Sequence, residues 1–220
     1  LIDDKPWLKK CSEPEMEQNF YKRALWQYNK LYTKLIDEKC DILFVPGGSF
    51  TTKFRPVVTI SQNLIPFEIN EMFRYGASLE LLKFMMLRVS QSFSFKNANG
   101  TIFLTEYSKN TVLKTTGLLK GKIVIIPHGI NDEFFLQPRI EYNSDDKKIF
   151  QLLYVSTIEP YKHHINVVDA VAKLNSEGIS LKLKIIGHGN SKMLSELKKH
   201  IYIKDPCEQF IQYESFIDHD

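Results

Sequence analysis

The chain alternates short apolar segments with amphipathic helical segments, and this alternation constrains its fold more than any other feature. Four apolar segments lie between Asp41 and Ile126, and three more lie between Phe150 and Tyr213. Glycine, proline or polar residues bound each of them, which is typical of buried strands. Because strands that alternate with helices form parallel sheets with helices on both faces, the sequence predicts an α/β fold.

The pattern predicts seven strands and five longer helices. The predicted strands are Asp41–Val45, Arg55–Ile60, Thr101–Leu104, Lys122–Ile126, Phe150–Val155, Leu181–Ile186 and Phe210–Tyr213. The predicted helices are Glu15–Lys39, Ser78–Ser94, Ser108–Lys114, His163–Asn175 and Ser191–His200. Ser108 is predicted to cap its helix, since serine is a favoured residue at helix starts.

A polar, turn-rich segment divides the two series of strands. It spans residues 142–148 and reads Tyr-Asn-Ser-Asp-Asp-Lys-Lys. Such composition is typical of a linker, so we predict one domain over residues 1–141 and a second over 149–220. The pattern is already under way at Leu1 and continues to Asp220, which predicts that both domains are incomplete in this chain.

Composition excludes several classes of protein. The 29 basic and 26 acidic side chains give a net charge of +3, too small for a nucleic-acid-binding footprint. No segment reaches the roughly 20 apolar residues of a membrane span. The three cysteines lie far apart and form no C-x-x-C pair, which favours reduced thiols in a cytoplasmic protein and no zinc site.

The segment that follows the fifth predicted strand is a candidate phosphate-binding loop. It runs Ser156-Thr-Ile-Glu-Pro-Tyr-Lys162 and leads into a helix. The start of a helix attracts anions because its first N–H groups are unpaired. Lys162 would add a positive charge there, and the hydroxyls of Ser156 and Thr157 could donate hydrogen bonds. The alternative interpretation is that Lys162 is a solvated surface lysine.

The loop after the sixth predicted strand has compatible chemistry. It reads Ile186-Gly-His-Gly189, and its two glycines would let the backbone approach a ligand closely. An ordinary tight turn is the alternative. Ligands of open α/β sheets bind beyond the carboxyl ends of the strands, so both loops are predicted to lie at one ligand-binding edge.

These segments together resemble the group 1 (family 4) glycosyltransferases. The strand from Leu152, the Glu-Pro-Tyr-Lys sequence ending at Lys162, the helix, and the strand ending in Gly-His-Gly189 resemble the start of that family's donor-binding domain. Upstream, Ile123–Asp132 resembles the segment that precedes the family's second domain, and Gly100–Lys109 resembles the strand and helix before it. The resemblance covers residues 41–220.

The resemblance implies a GT-B fold, in which two Rossmann-like domains face each other across a cleft. It implies a retaining glycosyltransferase that moves a sugar from a nucleotide-diphosphate sugar to a saccharide or lipid-linked acceptor, in polysaccharide, lipopolysaccharide or glycoconjugate synthesis, without a metal or other cofactor. Lys162 matches the lysine that binds the donor diphosphate, and Gly187 and Gly189 match a loop near the nucleotide. The first domain would present the acceptor. Its candidate cleft residues are Gly47, Gly48, His128 and Gly129.

The chain departs from the family pattern at two places. Ser156 and Thr157 stand where the family has glycine and arginine, which replaces a guanidinium with hydroxyl donors. Gln62 and Asn63 stand where the family often has a histidine. These amides are the candidate catalytic residues, because they can hydrogen-bond a sugar, although neither can act as a base.

Two further expectations concern activity. The family's paired glutamates would fall beyond Asp220, so we predict that this segment alone does not turn over donor. The alternative hypothesis is that the chain is a non-catalytic module that binds a nucleotide or a phosphosugar.

Two other features are interpreted without a catalytic or metal-binding role. His163 and His164 are interpreted as polar residues at a helix start, since adjacent helical residues point about 100° apart and do not readily share a metal. The first predicted helix has a basic face, which favours solvent exposure, with peripheral contact to an anionic membrane as the alternative. The basic residues are Lys9, Lys10, Lys22, Arg23, Lys30 and Lys34.

Overall fold

The computed structural model describes residues 5–18, 20–137 and 149–215. The chain forms two compact units, which divide between Ile130 and Asn131, and each unit contains its own parallel sheet. The predicted linker at 142–148 lies outside the described residues, so the domain limits drawn from the sequence stay a prediction.

The first unit contains a four-stranded parallel sheet with the strand order β1-β2-β3-β4. Residues Thr59 and Thr101 are partners in adjacent strands, which fixes the register at the centre of the sheet. All four carboxyl ends therefore lie along one edge. The strands are β1 (Leu43–Val45), β2 (Val57–Ser61), β3 (Gly100–Phe103) and β4 (Lys122–Ile125).

The described residues of this unit form five α-helices, and the first helical region differs from the prediction. The prediction of a single helix over Glu15–Lys39 was wrong. A 3-10 turn at Pro14–Glu17 comes first. The helical region that follows is interrupted at Lys30, where φ is −110°. The sequence did not predict the short helix at Ile69–Phe73. The helices are α1 (Phe20–Asn29), α2 (Leu31–Asp37), α3 (Ile69–Phe73), α4 (Leu79–Asn97) and α5 (Glu106–Thr116).

The start of α5 is set by Thr105, and the prediction that Ser108 caps this helix was wrong. The Thr105 hydroxyl accepts from the Ser108 backbone N–H at 3.0 Å, and the Ser108 hydroxyl accepts from the Thr105 N–H at 3.2 Å. This reciprocal capping box pairs two N–H groups that the helix leaves open. Thr105 takes the cap position because its backbone is still extended where the chain leaves β3.

The core of the first unit lies between its sheet and helices α4 and α5. Phe67, Phe95, Phe103 and Val112 form a buried cluster. The ring centroids of Phe95 and Phe103 are 6.3 Å apart, within the range of favourable aromatic pairs. This packing holds α4 against the sheet and so positions the carboxyl end of β3.

The second unit contains three parallel strands in the order β5-β6-β7, which are β5 (Phe150–Val155), β6 (Leu181–Ile186) and β7 (Ile211–Glu214). Helices α6 (His164–Ser176) and α7 (Ser191–Lys204) connect them. Buried and more exposed residues alternate along β6, and Leu183 and Ile185 pack in the core with Val168 and Leu197. These bounds lie close to the predicted ones, and α7 is longer by four residues.

The basic face of the first helical region carries several ion pairs. Lys30 and Lys34 pair with Glu15 and Glu13 at 2.7 and 2.6 Å, and Lys9 pairs with Glu38. The partner glutamates raise the pKa of all three lysines. Pairing offsets part of the positive charge, which favours the solvated interpretation of this face. Among the residues that the structure describes, no helix has the length and apolar character needed to span a bilayer.

Candidate functional site

The candidate phosphate-binding loop and the glycine loop predicted to lie near the nucleotide are side by side at the carboxyl edge of the second sheet. The backbone N–H of Ser156 donates to the Ile186 carbonyl at 3.0 Å, and that of Ile158 donates to the His188 carbonyl at 2.8 Å. The pairing of β5 with β6 thus continues past both strand ends. Residues 156–158 and 186–188 therefore form one continuous ledge, as their position after adjacent strands predicted.

Gly187 and Gly189 are required by the close approach of these loops. A Cβ atom on Gly187 would lie 1.8 Å from the Ser156 carbonyl oxygen, and one on Gly189 would lie 2.6 Å from the Ile158 carbonyl oxygen. Neither distance is compatible with a side chain. The glycines therefore allow the ledge to form, a role that the spacing in the sequence did not reveal.

Lys162 ends a 3-10 turn, Pro160–Lys162, that leads directly into α6. Its ammonium lies 5.0 Å from the centroid of the Tyr161 ring, a cation–π contact. Its carbonyl accepts a hydrogen bond from the Tyr154 hydroxyl, which ties the turn to the end of β5. Within the described residues, no carboxylate forms an ion pair with Lys162, so its charge is available to an anion.

The start of α6 presents backbone N–H groups next to this lysine. His163 occupies the N-cap position in the left-handed conformation, with φ 56° and ψ 33°. The His163 side chain makes no hydrogen bond that caps the helix. Because the first N–H groups of a helix have no partner within it, an uncapped start favours a bound anion.

His164 contacts Ser156 of the ledge and holds it in place, a role that the sequence did not indicate. Its Nε2 lies 3.0 Å from the Ser156 hydroxyl, and its ring stacks on Tyr154 with centroids 4.6 Å apart. The Ser156 hydroxyl donates to the Thr157 carbonyl at 3.2 Å, so it accepts from a protonated Nε2. Burial, and then the nearby charge of Lys162, lowers the pKa of His164. The ring is therefore neutral at pH 7.

His164 lies at the first position of α6 and next to the candidate phosphate loop, as predicted. The residue is buried, and its Nδ1 has no hydrogen-bond partner among the residues described. The only available signal was the nearby Tyr154 and Ser156, but their separation along the chain does not predict stacking. Only the fold brings the three together.

In the first unit, two of the candidate acceptor residues and the two candidate catalytic residues follow adjacent strands. Gly47 and Gly48 follow β1, while Gln62 and Asn63 follow β2. Gly48 has φ +76°, and a Cβ there would lie 3.1 Å from Nε2 of the buried Gln91. The Gln91 side chain therefore sits directly beneath this glycine turn, which the sequence did not predict.

The two candidate amides have different environments. The Asn63 side-chain oxygen accepts from the Ile65 N–H at 3.1 Å, which gives it a local role in the turn. Gln62 is exposed. Of the two, Gln62 is therefore better placed to contact a ligand.

His128 and Gly129 lie at the same edge but further along it. They follow β4, which is separated from β2 by β3. At about 4.8 Å between neighbouring strands, the strand ends are about 10 Å apart. Both residues are exposed, so the structure brings Gly47, Gly48, Gln62 and Asn63 together and leaves His128 at a distance.

The described residues contain no group of three or more histidine, cysteine, aspartate or glutamate side chains that could hold a metal ion. The expectation that the reaction needs no metal stays a prediction.

Comparison with solved structures places this geometry in a known fold. Anabaena HepE in complex with UDP and glucose matches with a TM-score of 0.56 and 15% identity, over 88% of this chain and 53% of that one. Sucrose-phosphate synthase from Thermosynechococcus elongatus matches with a TM-score of 0.58 and 14% identity, over 97% and 53%. No protein-family model and no curated protein matches the sequence.

These similarities establish a GT-B-like α/β fold, and the predicted resemblance to GT-B glycosyltransferases is confirmed at the level of the fold. The chain spans about half the length of these two solved structures.

Proposed function

We propose that this chain binds the diphosphate of a nucleotide-sugar donor at the ledge of the second unit. The observation that carries this proposal is the convergence of three anion-binding features. The Lys162 ammonium, the uncapped start of α6 and the hydroxyl of the exposed Thr157 all belong to one short segment at the carboxyl edge of the sheet. A diphosphate needs several donors and a compensating charge, and this segment supplies both.

The protein that contains this chain would act as a retaining glycosyltransferase, with a saccharide or lipid-linked acceptor bound at the first unit. Gly47, Gly48 and Gln62 are the proposed acceptor-side residues. The fold supports this class, and the two HepE structures contain UDP with glucose and UDP-glucose. We propose a uridine nucleotide as the first donor to test, with no metal or other cofactor. The proposed reaction belongs to polysaccharide or glycoconjugate synthesis.

Calorimetric titration with UDP and with UDP-glucose tests the proposed site. Lys162→Ala removes one charged contact to phosphate, worth about 1.5–3 kcal/mol, so the dissociation constant should rise by about 10- to 100-fold. Lys182→Ala is the matched control, because Lys182 is an exposed lysine near the opposite end of β6. Equal affinity of the wild type and Lys162→Ala would refute the role of Lys162.

An assay of glucose release and transfer distinguishes the glycosyltransferase hypothesis from that of a non-catalytic binding module. We expect these 220 residues to bind UDP-glucose without releasing glucose or transferring it. Release of glucose by these 220 residues alone would contradict that expectation. Binding of UDP with no turnover by any longer form of the protein would favour the module.

A further inference from the structure

Helix α4 carries a continuous apolar stripe on its outer face. The stripe consists of five residues spaced alternately three and four positions apart. Their exposed fractions run from 52% at Met86 to 82% at Leu79. Exposure of one such residue is ordinary, but a stripe along a whole helix marks an interaction surface. The residues are Leu79, Leu82, Met86, Val89 and Phe93.

The opposite face of α4 accounts for the packing of this helix within its own unit. Gln91, Ser94 and Phe95 are buried, and the Phe84 ring packs edge-on against Tyr75 at 5.0 Å. In the heptad formed by the stripe, positions 84 and 91 fall directly opposite it. The stripe is thus a second apolar face, which the described residues of the first unit leave exposed.

We propose that the stripe pairs with the same stripe of a second copy of this chain. Alternating steps of three and four are the spacing at which two α-helices pack along a common seam. Met86 lies at the middle of the stripe, so a two-fold axis through that point brings each stripe onto its copy. The interface would be isologous, with Met86 facing Met86 of the second copy.

The area of the stripe is sufficient for such a dimer. A largely exposed residue of this size offers about 100 Å² or more, by the transfer energies of apolar side chains. Five residues from each of two copies would bury about 1,000–1,200 Å², and flanking side chains add to this. That total reaches the lower end of specific protein interfaces.

The charge around the stripe favours a helix over a membrane surface as the partner. Membrane-bound amphipathic helices carry many lysines and arginines beside their apolar face. Here the flanking positions hold Lys83, Met85, Ser90 and Ser92, so only one of the four is charged. Such weakly charged flanks also allow two copies to approach without repulsion.

Sedimentation of the whole chain tests this proposal. Between about 1 and 100 µM, where interfaces of this size commonly form, we expect a particle of twice the 25.7 kDa chain mass. The double variant Leu82→Lys with Met86→Lys should be monomeric. Leu118→Lys is the matched control: Leu118 is 92% exposed and outside the stripe, and this variant should remain dimeric. Circular dichroism verifies that each variant is folded.

Cross-linking locates the contact. Met86→Cys, in a background with Cys11, Cys40 and Cys207 changed to serine, should form a disulfide-linked dimer on mild oxidation, and Leu118→Cys should not. A monomeric wild type, or a dimer that survives the double lysine variant, would overturn the proposal. Binding of the monomer to phosphatidylglycerol vesicles through the stripe would also overturn it and would identify a membrane as the partner.

Discussion

The contact between the two loops of the ledge leads to a precise test at Gly187. In Gly187→Ala, the new Cβ would lie 1.8 Å from the Ser156 carbonyl oxygen, whereas ordinary contacts begin at 3.4 Å. The loops must therefore separate by about 1.5 Å, a shift comparable to the overpacking that typically costs 1–3 kcal/mol. The shift would also strain the hydrogen bond from the Ser156 N–H to Ile186 and that from the Ile158 N–H to His188. Each is worth about 1 kcal/mol.

We therefore expect Gly187→Ala to lower the free energy of unfolding of the second unit by about 2–5 kcal/mol. Urea unfolding followed by far-ultraviolet circular dichroism measures this loss. Both tryptophans, Trp7 and Trp26, lie in the first unit. Tryptophan fluorescence therefore reports the first unit, and its transition should stay unchanged.

Two other glycines serve as controls. A Cβ on Gly129 would meet nothing within 4 Å, so Gly129→Ala should match the wild type. Gly178 has equally open space but φ +90°, so Gly178→Ala should cost only the conformational strain, about 1 kcal/mol. If Gly187→Ala lost no more stability than Gly178→Ala and bound UDP normally, the close packing of the two loops would be refuted.

Three further predictions concern stability. Because burial lowers the pKa of His164, the unfolded chain takes up a proton at a higher pH than the folded chain does. The free energy of unfolding should therefore fall as the pH drops below about 6.5. In urea titrations at pH 7.5 and 5.5, His164→Gln should lose the part of this pH dependence that comes from His164. Equal pH dependence in both proteins would contradict the buried, neutral ring. The buried Asp205 carboxylate accepts from the backbone N–H groups of residues 209, 210 and 211 at 2.7–2.9 Å, so Asp205→Ala should lower the free energy of unfolding by about 3 kcal/mol. Thr105→Ala removes the cap of α5 and should cost about 1 kcal/mol, and Thr105→Ser, which keeps the hydroxyl, should restore stability in thermal unfolding; equal stability of all three proteins would show that the cap contributes nothing.

The sheets could be predicted because their signal is local. Every predicted strand appears within two residues of its place, since a run of apolar residues between turn residues has few other uses in an α/β chain. The first helical region was predicted less well. The apolar spacing from Phe20 to Ile36 passes through Lys30 without a change, so the sequence held no sign of the interruption there.

The candidate site was also predicted only in part. The edge that carries Lys162 and Gly187 followed from strand order alone, because parallel strands place their carboxyl ends together. The support beneath it did not follow. His164 stacks on Tyr154, and Gln91 packs beneath Gly48. Both contacts depend on tertiary packing, which no spacing in the sequence encodes.

The central claim is that a donor diphosphate binds at the ledge of the second unit, and mapping of backbone amide shifts by NMR tests it most directly. On titration with UDP, we expect the largest shifts at residues 156–166 and 186–189, with saturation at a common dissociation constant. Lys162→Ala should require about 10- to 100-fold more UDP for the same shifts. Shifts confined to the first unit, or spread evenly over the surface without saturation, would contradict the claim.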